Sequence, residues 1–338
     1  MDDRELRWRD QARHFLGYPC NLAYDYSAVF HTLGYNVNNC GDPSLASNYG
    51  IHSKDDERFV IRWVKRLWGI EPDDSWGYMT ASGTEGNTQG LYVARRMFPD
   101  AVLYHSDQAH YSIPKIGDML RVPAVAVRSQ PSGEMDYRHL AASLDRTRPA
   151  IVCATIGTTV TGAHDDVSRI HAVLEEHGLE GRHYIHIDGA LDGFFLPLLT
   201  PDTHFKAYAH SISISFHKFL GVPFPCGMFI MDSKCDRGGR FVEYVQTVDN
   251  TVSGSRNGHG PVFVRHALET IGRDALQRDA RACVQGAISL ADGLAAEGVK
   301  GVTRNPRSVT VVFPSPGKAL ARKWGLPTYM GLSHAVVL

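Results

Sequence analysis

The sequence predicts an α/β protein with a mainly parallel sheet. Short apolar runs rich in Val, Ile and Ala alternate with loops and helical stretches along most of the 338 residues. Such runs are typical of strands buried on both faces, and their alternation with helices is typical of parallel sheets. Since single hydrophobic cores stop growing at roughly 250–300 residues, we expect a large domain and a smaller lobe.

The helices and strands of the large domain are predicted from local signals. Ser53 can cap the first clear helix, over residues 54–68, whose first turn is acidic and which Gly69 follows. A second helix begins near Thr84 and stops before Pro99. Further helices are plausible around residues 137–146 and 165–177, and candidate strands lie at 101–104, 124–127, 151–154, 184–187, 211–215 and 227–231.

A different order of elements follows the loop at residues 249–261. This C-terminal part predicts a small lobe that mixes helices and strands. Its elements are a long helical region to about residue 297, a strand at 308–313, a short helix near 318–324 and a β-like piece at 334–338.

Composition excludes several classes of protein. The 35 Lys and Arg residues balance 36 Asp and Glu residues, which excludes an electrostatically driven nucleic-acid binder. The six cysteines form no Cys-x-x-Cys pair, so we predict neither a metal site nor a redox dithiol. No apolar run approaches the roughly 18 residues of a membrane span, and the N-terminus is charged where a signal peptide is apolar. We therefore expect a cytoplasmic protein with no membrane partner.

Polar residues that follow the predicted strands are the first candidates for a binding site, because ligands bind at the carboxyl ends of parallel strands. Ser82-Gly83-Thr84 at a helix start offers hydroxyls, N–H groups and the helix dipole to a phosphate. Alone, these residues could equally form a plain N-cap turn. They match neither a nucleotide P-loop nor a Rossmann fingerprint.

Two residues at later strand ends, Lys218 and Asp188, point to a ring-shaped cofactor. Lys218 follows an apolar strand, and a desolvated lysine is a nucleophile toward aldehydes, although a lysine extending to solvent at a strand end is the simpler alternative. Asp188 could keep a pyridinium nitrogen protonated, or could cap the next turn. The two lie one strand–connection–strand unit apart and could face one ligand.

A phosphate cradle, a lysine, a ring-facing carboxylate and His110, which could stack over a ring, together meet the requirements of pyridoxal 5′-phosphate. The chain resembles the group II pyridoxal-phosphate-dependent amino-acid decarboxylases, in the branch of bacterial histidine decarboxylases and plant serine decarboxylases. The resemblance covers nearly the whole chain. Its motifs are Asn-Asn-Cys-Gly-Asp-Pro (38–43), Trp-Gly-Tyr (76–78), Gly-Thr-Glu-Gly-Asn (83–87), His-Tyr-Ser (110–112), Ile-Gly-Thr-Thr (156–159), Asp-Gly-Ala-Leu (188–191), His-Lys (217–218), Pro-Cys-Gly (225–227) and Gly-Ser-Arg-Asn-Gly-His (254–259).

The resemblance implies an aspartate-aminotransferase-like fold of type I, with a mainly parallel seven-stranded sheet. It implies an N-terminal segment over residues 1–50 and a cofactor-binding large domain over 51–260. The small C-terminal α+β domain, over 261–338, is expected to be shorter than in relatives.

The resemblance also implies roles for individual residues around the cofactor. Lys218 would bind it covalently, Asp188 would hold the pyridinium nitrogen, Ala190 would pack beneath the ring and His110 would stack above it. Residues expected to bind or brace the phosphate are Ser82, Gly83, Thr84, Ser215 and His217, and Thr155 is a further candidate cofactor ligand.

Shared active sites in a homodimer are a further implication. The loop at 253–259 would reach the partner's site, where Ser255 would complete the phosphate pocket, and Tyr244 is a candidate catalytic residue. Tyr18 and Asp25 would line the substrate entrance, although both could equally be packing residues.

The implied activity is that of an L-amino-acid decarboxylase, a carboxy-lyase that releases CO₂ and a primary amine. Histidine, giving histamine, and serine, giving ethanolamine, are the first candidate substrates. Another small polar amino acid and a catalytically inactive homologue are the alternatives.

Two departures from the family pattern bear on the substrate. Phe216 stands where the family usually has glycine and could crowd the pocket. Asp192 adds a carboxylate that would recognise a cationic or hydroxylated substrate if it faced the site, although we expect it to face solvent.

A remote alternative is an iron oxygenase. Its 2-His-1-carboxylate site would use His186 and Asp188, which alternation places on one strand face, with a distant histidine such as His259.

Overall fold

A seven-stranded sheet forms the centre of the protein, in a computed structural model that describes residues 2–200 and 205–338. The strands are β1 (Ser75–Thr80), β2 (Val102–Ser106), β3 (Ala124–Val127), β4 (Ala150–Thr155), β5 (His183–Gly189), β6 (Ser211–Ser215) and β7 (Gly227–Asp232). Their order is β1-β7-β6-β5-β4-β2-β3; β7 runs antiparallel to both its neighbours, and the pairs from β6 to β3 are parallel. The predicted mainly parallel seven-stranded sheet is confirmed.

Helices cover both faces of this sheet. The α-helices are α1 (Asp3–Ala12), α2 (Lys54–Leu67), α3 (Gly83–Met97), α4 (Ser112–Met119), α5 (Tyr137–Ser143), α6 (Val167–Glu176), α7 (Leu196–Leu199), α8 (Phe205–Tyr208), α9 (His259–Ile271), α10 (Arg273–Ala296) and α11 (Lys318–Lys323). The predicted long C-terminal helical region is two helices, because Gly272 adopts a φ of 77° between α9 and α10. None of the helices in the described part of the chain is long and apolar enough to cross a membrane.

The core has two layers because side chains of a strand alternate between the faces of a sheet. Val152 and Ala154 of β4 join the cluster that includes residues of α2, α6 and α9. Ile151 and Cys153 join the opposite cluster, with residues of α3 and α4. Every residue of β4 and β5 is buried, which accounts for the nearly continuous apolar run of β4.

Several elements have no counterpart in the sequence prediction. Strand β1 carries Gly77 and no β-branched run, so its sequence lacks an ordinary strand signal. Helices α1 and α4 are also additional. Ser53 does precede α2, but its side chain makes no capping hydrogen bond there; its hydroxyl donates instead to the carbonyl oxygen of Gly258.

Two smaller sheets accompany the large one. Strands β10 (Thr310–Pro314), β12 (Leu332–Val336) and β11 (Thr328–Tyr329) pair antiparallel in that order, and β8 (Arg240–Val242) pairs with β9 (Thr247–Asp249). Val311 and Ala335 pack with Ala287 of α10. The Val336 N–H donates to the carbonyl of Leu16 at 2.7 Å, which attaches the N-terminal segment to β12.

A buried ion pair joins distant segments near β1. Arg256 pairs with Glu57 of α2, and both side chains are almost fully buried. Asn39 donates to the same carboxylate at 2.8 Å, and Arg256 also donates to the Gly41 carbonyl at 2.7 Å. The pair therefore fixes the loop that carries Ser255 against α2 and the segment 38–43.

Candidate active site

The candidate site lies at the carboxyl ends of three neighbouring parallel strands. Asp188 near the end of β5 is opposite Thr155 of β4 and Ser213 of β6 in the sheet register. It is only 3% exposed and accepts a hydrogen bond from the Ala190 N–H at 3.1 Å. Parallel strands thus place the carboxylate at the edge where an α/β sheet binds its ligands.

A cavity of about 300 Å³ opens at this edge. It gathers every predicted cofactor residue except Ser255. Its lining consists of Ser82, Gly83, Thr84, Asn87, His110, Tyr111, Thr155, Gly157, Thr159, Asp188, Ala190, Leu191, Ser215, His217, Lys218 and Pro225.

The start of α3 forms one wall of this cavity. Ser82 is the N-cap, and its hydroxyl accepts from the Glu85 N–H at 3.4 Å. A Cβ atom on Gly83 would lie 2.8 Å from Ser215 Oγ and 2.9 Å from Ala190 Cβ, so only glycine allows the helix to approach this closely. Free N–H groups, hydroxyls and the positive end of the helix dipole meet here, which is the environment that binds a phosphate.

Lys218 reaches the cavity from the loop after β6. Burial lowers its pKa, against the opposing effect of the Asp188 and Asp192 carboxylates. Asn21 fixes this loop from the N-terminal segment: its N–H donates to the Lys218 carbonyl at 3.1 Å, and its side-chain amide donates to the Phe219 carbonyl at 2.8 Å. A lowered pKa provides more of the neutral amine that attacks an aldehyde.

His110 lies on the same cavity, between β2 and α4. Its Nδ1 lies 2.8 Å from the Ser112 hydroxyl and 3.3 Å from the Ser112 N–H, and a neutral ring with its proton on Nε2 accepts from both. Burial is the main cause that lowers the pKa of His110, while Asp188 opposes the shift. The ring is therefore neutral near pH 7 and can donate through Nε2.

Comparison with known proteins gives this arrangement a family. The conserved domain of pyridoxal-dependent decarboxylases matches residues 86–315. The chain is 41% identical to serine decarboxylase 1 of Oryza sativa subsp. japonica over 335 residues, which cover 97% of this chain and 69% of the relative. The chain belongs to the pyridoxal-dependent decarboxylase family.

Other members of this family give the same result. A histidine decarboxylase of Solanum lycopersicum is 39% identical over 337 residues, which cover 97% of this chain and 81% of the relative. The crystal structure of L-methionine decarboxylase from Streptomyces sp. 590, in complex with L-methionine methyl ester, matches with a TM-score of 0.89 at 25% identity, over 100% of this chain and 92% of the other. The predicted fold, cofactor and chemistry are confirmed: this is a pyridoxal-phosphate-dependent amino-acid decarboxylase, a carboxy-lyase.

The residues of this decarboxylase fit the cofactor. The close contact at Gly83 leaves a cradle that a Cβ atom would fill, and the buried Thr155 Oγ1 has no hydrogen-bond partner, so it is free for a ligand. The anion site at Ser82–Thr84, the Lys218 amine and the Asp188 carboxylate suit the phosphate, the aldehyde and the ring nitrogen, respectively. When bound, pyridoxal phosphate supplies an electron sink for the electrons left by departing CO₂.

Tyr244 and Ser255 lie away from Lys218 of the same chain. Both line a separate cavity of about 420 Å³, whose wall also includes Asn38 and Tyr49. Tyr244 is 87% exposed, and Ser255 accepts a hydrogen bond from the Asn38 amide at 3.2 Å. Within one chain, the structure therefore does not bring these two predicted site residues to the cofactor residues.

The two predicted entrance residues lie in different places. Tyr18 lines a cavity of about 140 Å³ that also includes Lys218. Asp25 is exposed and lines a fourth cavity, together with His217. The Asp25 carboxylate accepts from the Ser27 N–H at 2.8 Å, and hydrogen bonds from Ser27 lower its pKa.

The expectations for Phe216 and for the exposure of Asp192 are wrong. Phe216 is 0% exposed and packs edge-on against Phe194 at 5.7 Å between ring centroids, so it belongs to the core and does not crowd the pocket. Asp192 does not face solvent: its side chain is 1% exposed and lies 2.7 Å from His164 Nε2. The carboxylate is paired with His164, and Asp192 is not among the residues that line the two cavities beside Lys218.

The iron-site alternative is also contradicted. His186 is fully buried, and its two ring nitrogens contact Ser211 Oγ at 2.8 Å and Asn87 Oδ1 at 3.0 Å. Burial lowers its pKa to about 3. Across residues 2–200 and 205–338, no group of three or more His, Cys, Asp or Glu side chains could hold a metal ion.

The cavity wall contains residues that the sequence interpretation did not assign. These are Asn87, Tyr111, Gly157 and Thr159 among others. All four belong to motifs that carry the family resemblance, so a signal for them was present. His164 had no such signal, because its partner Asp192 is 28 residues away along the chain.

Proposed function

We propose that the substrate of this decarboxylase is an uncharged polar L-amino acid, serine or histidine, whose side chain occupies the smaller cavity beside Lys218. The observation that carries the proposal is the lining of that cavity. Tyr18, Thr159, Tyr329 and His334 supply polar groups, and the remaining lining is Gly17, Pro19, Gly157, Val160, Leu191, Pro327, Val336 and Lys218 itself.

The charges around this cavity support an uncharged side chain. Among the described residues that line it, Lys218 is the one Lys, Arg, Asp or Glu, and it is committed to the cofactor in this proposal. Burial lowers the pKa of His334, so its imidazole is neutral near pH 7. An acidic side chain would find no guanidinium to pair with, and a cationic one would find no free carboxylate.

The names of relatives support the same class. Serine decarboxylases of Oryza sativa subsp. japonica are 39–42% identical to the chain, and histidine decarboxylases of Solanum lycopersicum and Acinetobacter baumannii are 38–39% identical. The two groups are too close in identity to separate the substrates.

In this proposal each residue has one task. Lys218 supplies the amine that holds the cofactor, and Asp188 keeps the ring nitrogen protonated. His110 returns a proton to the α-carbon after CO₂ has left: its imidazolium form gives up the Nε2 proton and becomes the neutral ring that predominates near pH 7. The start of α3 anchors the phosphate and so fixes the orientation of the ring.

The experiment is CO₂ release from L-serine, L-histidine, L-methionine and L-glutamate, measured in parallel with the Lys218→Ala variant as control. We expect release from L-serine or L-histidine, lost in the variant. Preference for L-glutamate would contradict the proposed pocket, and release from none of the four by a cofactor-loaded protein would favour the inactive homologue.

We also infer that the enzyme acts as a homodimer with shared active sites. The separation of Tyr244 and Ser255 from Lys218 in one chain supports this, since the loop at 253–259 can then serve a neighbouring subunit. Large exposed apolar side chains in the first 35 residues are what a subunit interface would cover: Leu6, Trp8, Phe15, Leu16, Tyr18, Leu22, Phe30, Leu33 and Tyr35.

A further inference from the structure

A buried His–Asp pair lies directly behind the wall of the active site. Asp192 follows β5 by three residues, and its carboxylate contacts His164 Nε2 at 2.7 Å. His164 belongs to the loop after β4, where it bridges Ile156 in antiparallel fashion. The Asp192 N–H also donates to the Ile156 carbonyl at 3.3 Å. Both partners are thus fixed by backbone contacts to the end of β4.

Gly157 lies between this pair and the cavities beside Lys218. Gly157 lines both the larger and the smaller cavity beside Lys218. A Cβ atom on Gly157 would lie 2.8 Å from Asp192 Oδ2, and its φ of 92° also disfavours any other residue. The Asp192 carboxylate therefore packs directly against Gly157, which is part of the cavity wall.

Asp192 is positioned to act on charge in the cavity. A buried carboxylate is costly unless it is hydrogen-bonded, and His164 supplies that partner. In a water-poor interior its negative charge extends further than it would at the surface. Lys218 is the cation within range, and Asp192 acts with Asp188 against the burial that lowers the pKa of this lysine.

Asp188 and Asp192 are the carboxylates that stabilise positive charge on Lys218, and the other titratable groups that the structure describes around this lysine are histidines and tyrosines. His110, His217 and His334 share cavity walls with Lys218, and burial lowers the pKa of each, so all three are neutral near pH 7. Tyr18, Tyr111 and Tyr329 also line these walls. On the far side of the pair, Asp165 interacts with His164, and burial raises the pKa of Asp165 to about 6.

We propose that Asp192, held by His164, is a positioning residue for Lys218: its buried carboxylate stabilises positive charge on the Lys218 nitrogen through the wall at Gly157. The consequence is a lysine that stays protonated to higher pH than burial alone allows. This inference rests on the proposed role of Lys218 but not on the identity of the substrate.

The test measures how fast the apoprotein takes up pyridoxal 5′-phosphate as a function of pH, followed by visible absorbance. Because only the neutral amine reacts, the midpoint of the profile reports the protonation of Lys218. Loss of the opposite charge in Asp192→Asn should move the midpoint to lower pH by about one unit. Lys218→Ala should show no uptake band, which checks the premise separately.

Two further variants make the result decisive. Asp166→Asn removes the same charge from the exposed N-cap of α6, on the same loop, and should leave the midpoint unchanged. The double variant His164→Leu/Asp192→Ala replaces both buried partners with apolar groups, which can preserve folding, and should shift the midpoint as Asp192→Asn does. A wild-type midpoint in both Asp192 variants would overturn the proposal and leave the pair a purely structural contact.

Discussion

At the scale of single residues, burial controls which protonation states the active site contains. Burial lowers the pKa of Lys218, His110 and His217, because a low-dielectric environment disfavours the charged form of a base. Asp188 opposes this effect at Lys218 and His110. Near pH 7 the two histidines are therefore neutral, and a larger share of the Lys218 amine is neutral than at its ordinary pKa, which suits a lysine nucleophile.

The role of His110 can be tested with His110→Phe. The variant keeps an aromatic ring but loses the Nε2 proton, so we expect it to load cofactor normally while kcat falls by about 100-fold or more. Because the imidazolium is the proton donor and the pKa of His110 is lowered, kcat should fall as the pH rises through a limb that lies below the ordinary value of about 6.5, and this limb should vanish in the variant. If kcat and its pH profile are unchanged in His110→Phe, the His110 ring serves only in packing.

At the scale of elements, the site depends on how closely α3 approaches the sheet. Gly83 at the start of α3 is in contact range of Ser215 at the end of β6 and of Ala190 after β5. The Ser213 hydroxyl donates to the Gly83 carbonyl at 3.0 Å and fixes this approach. A helix N-terminus, two strand ends and their short side chains together form the anion site.

Gly83→Ala tests this contact. The added methyl group must displace α3 from β6 and Ala190, which typically costs about 1–3 kcal/mol, so we expect cofactor affinity to fall by about tenfold or more. Gly293→Ala is the matched control, because Gly293 lies in α10 with nothing within 4 Å of the added atom. It should bind cofactor normally and stabilise the fold by about 0.5–1 kcal/mol. Equal affinities of the two variants would refute the close-contact interpretation.

At the scale of the whole molecule, one chain does not gather all the residues that the family resemblance implies. The buried pair of Arg256 and Glu57 fixes the loop of Ser255 to α2, while Lys218 lies in the loop after β6. Tyr244, at 87% exposure, has little contact with its own chain. A second subunit that packs against Tyr244 and the loop at 253–259 would explain why Arg256 anchors this loop so firmly while Ser255 and Tyr244 are exposed.

Subunit complementation tests shared sites. Lys218→Ala and Tyr244→Ala should each be nearly inactive as homodimers, whereas co-expression of the two should restore part of the activity. If Tyr244 acts on the partner's site, one site of each mixed dimer carries both substitutions. The other site then has an intact Lys218 from one subunit and an intact Tyr244 from the other. Mixed dimers that remain inactive would show that Tyr244 serves its own subunit, and a full-length monomer in light scattering would exclude the dimer itself.

Local sequence by itself determined most of the large sheet, its parallel pairing and the residues of the cofactor cavity. It could do so because buried strands need continuous apolar runs and because motif residues follow strand ends directly. Tertiary structure alone decided the contacts between segments far apart in sequence. Arg256 and Glu57 are 199 residues apart, His164 and Asp192 are 28 apart, and no local pattern pairs them. The same reason explains the errors at Phe216 and Asp192, since the direction in which a side chain points after a strand depends on what packs against it.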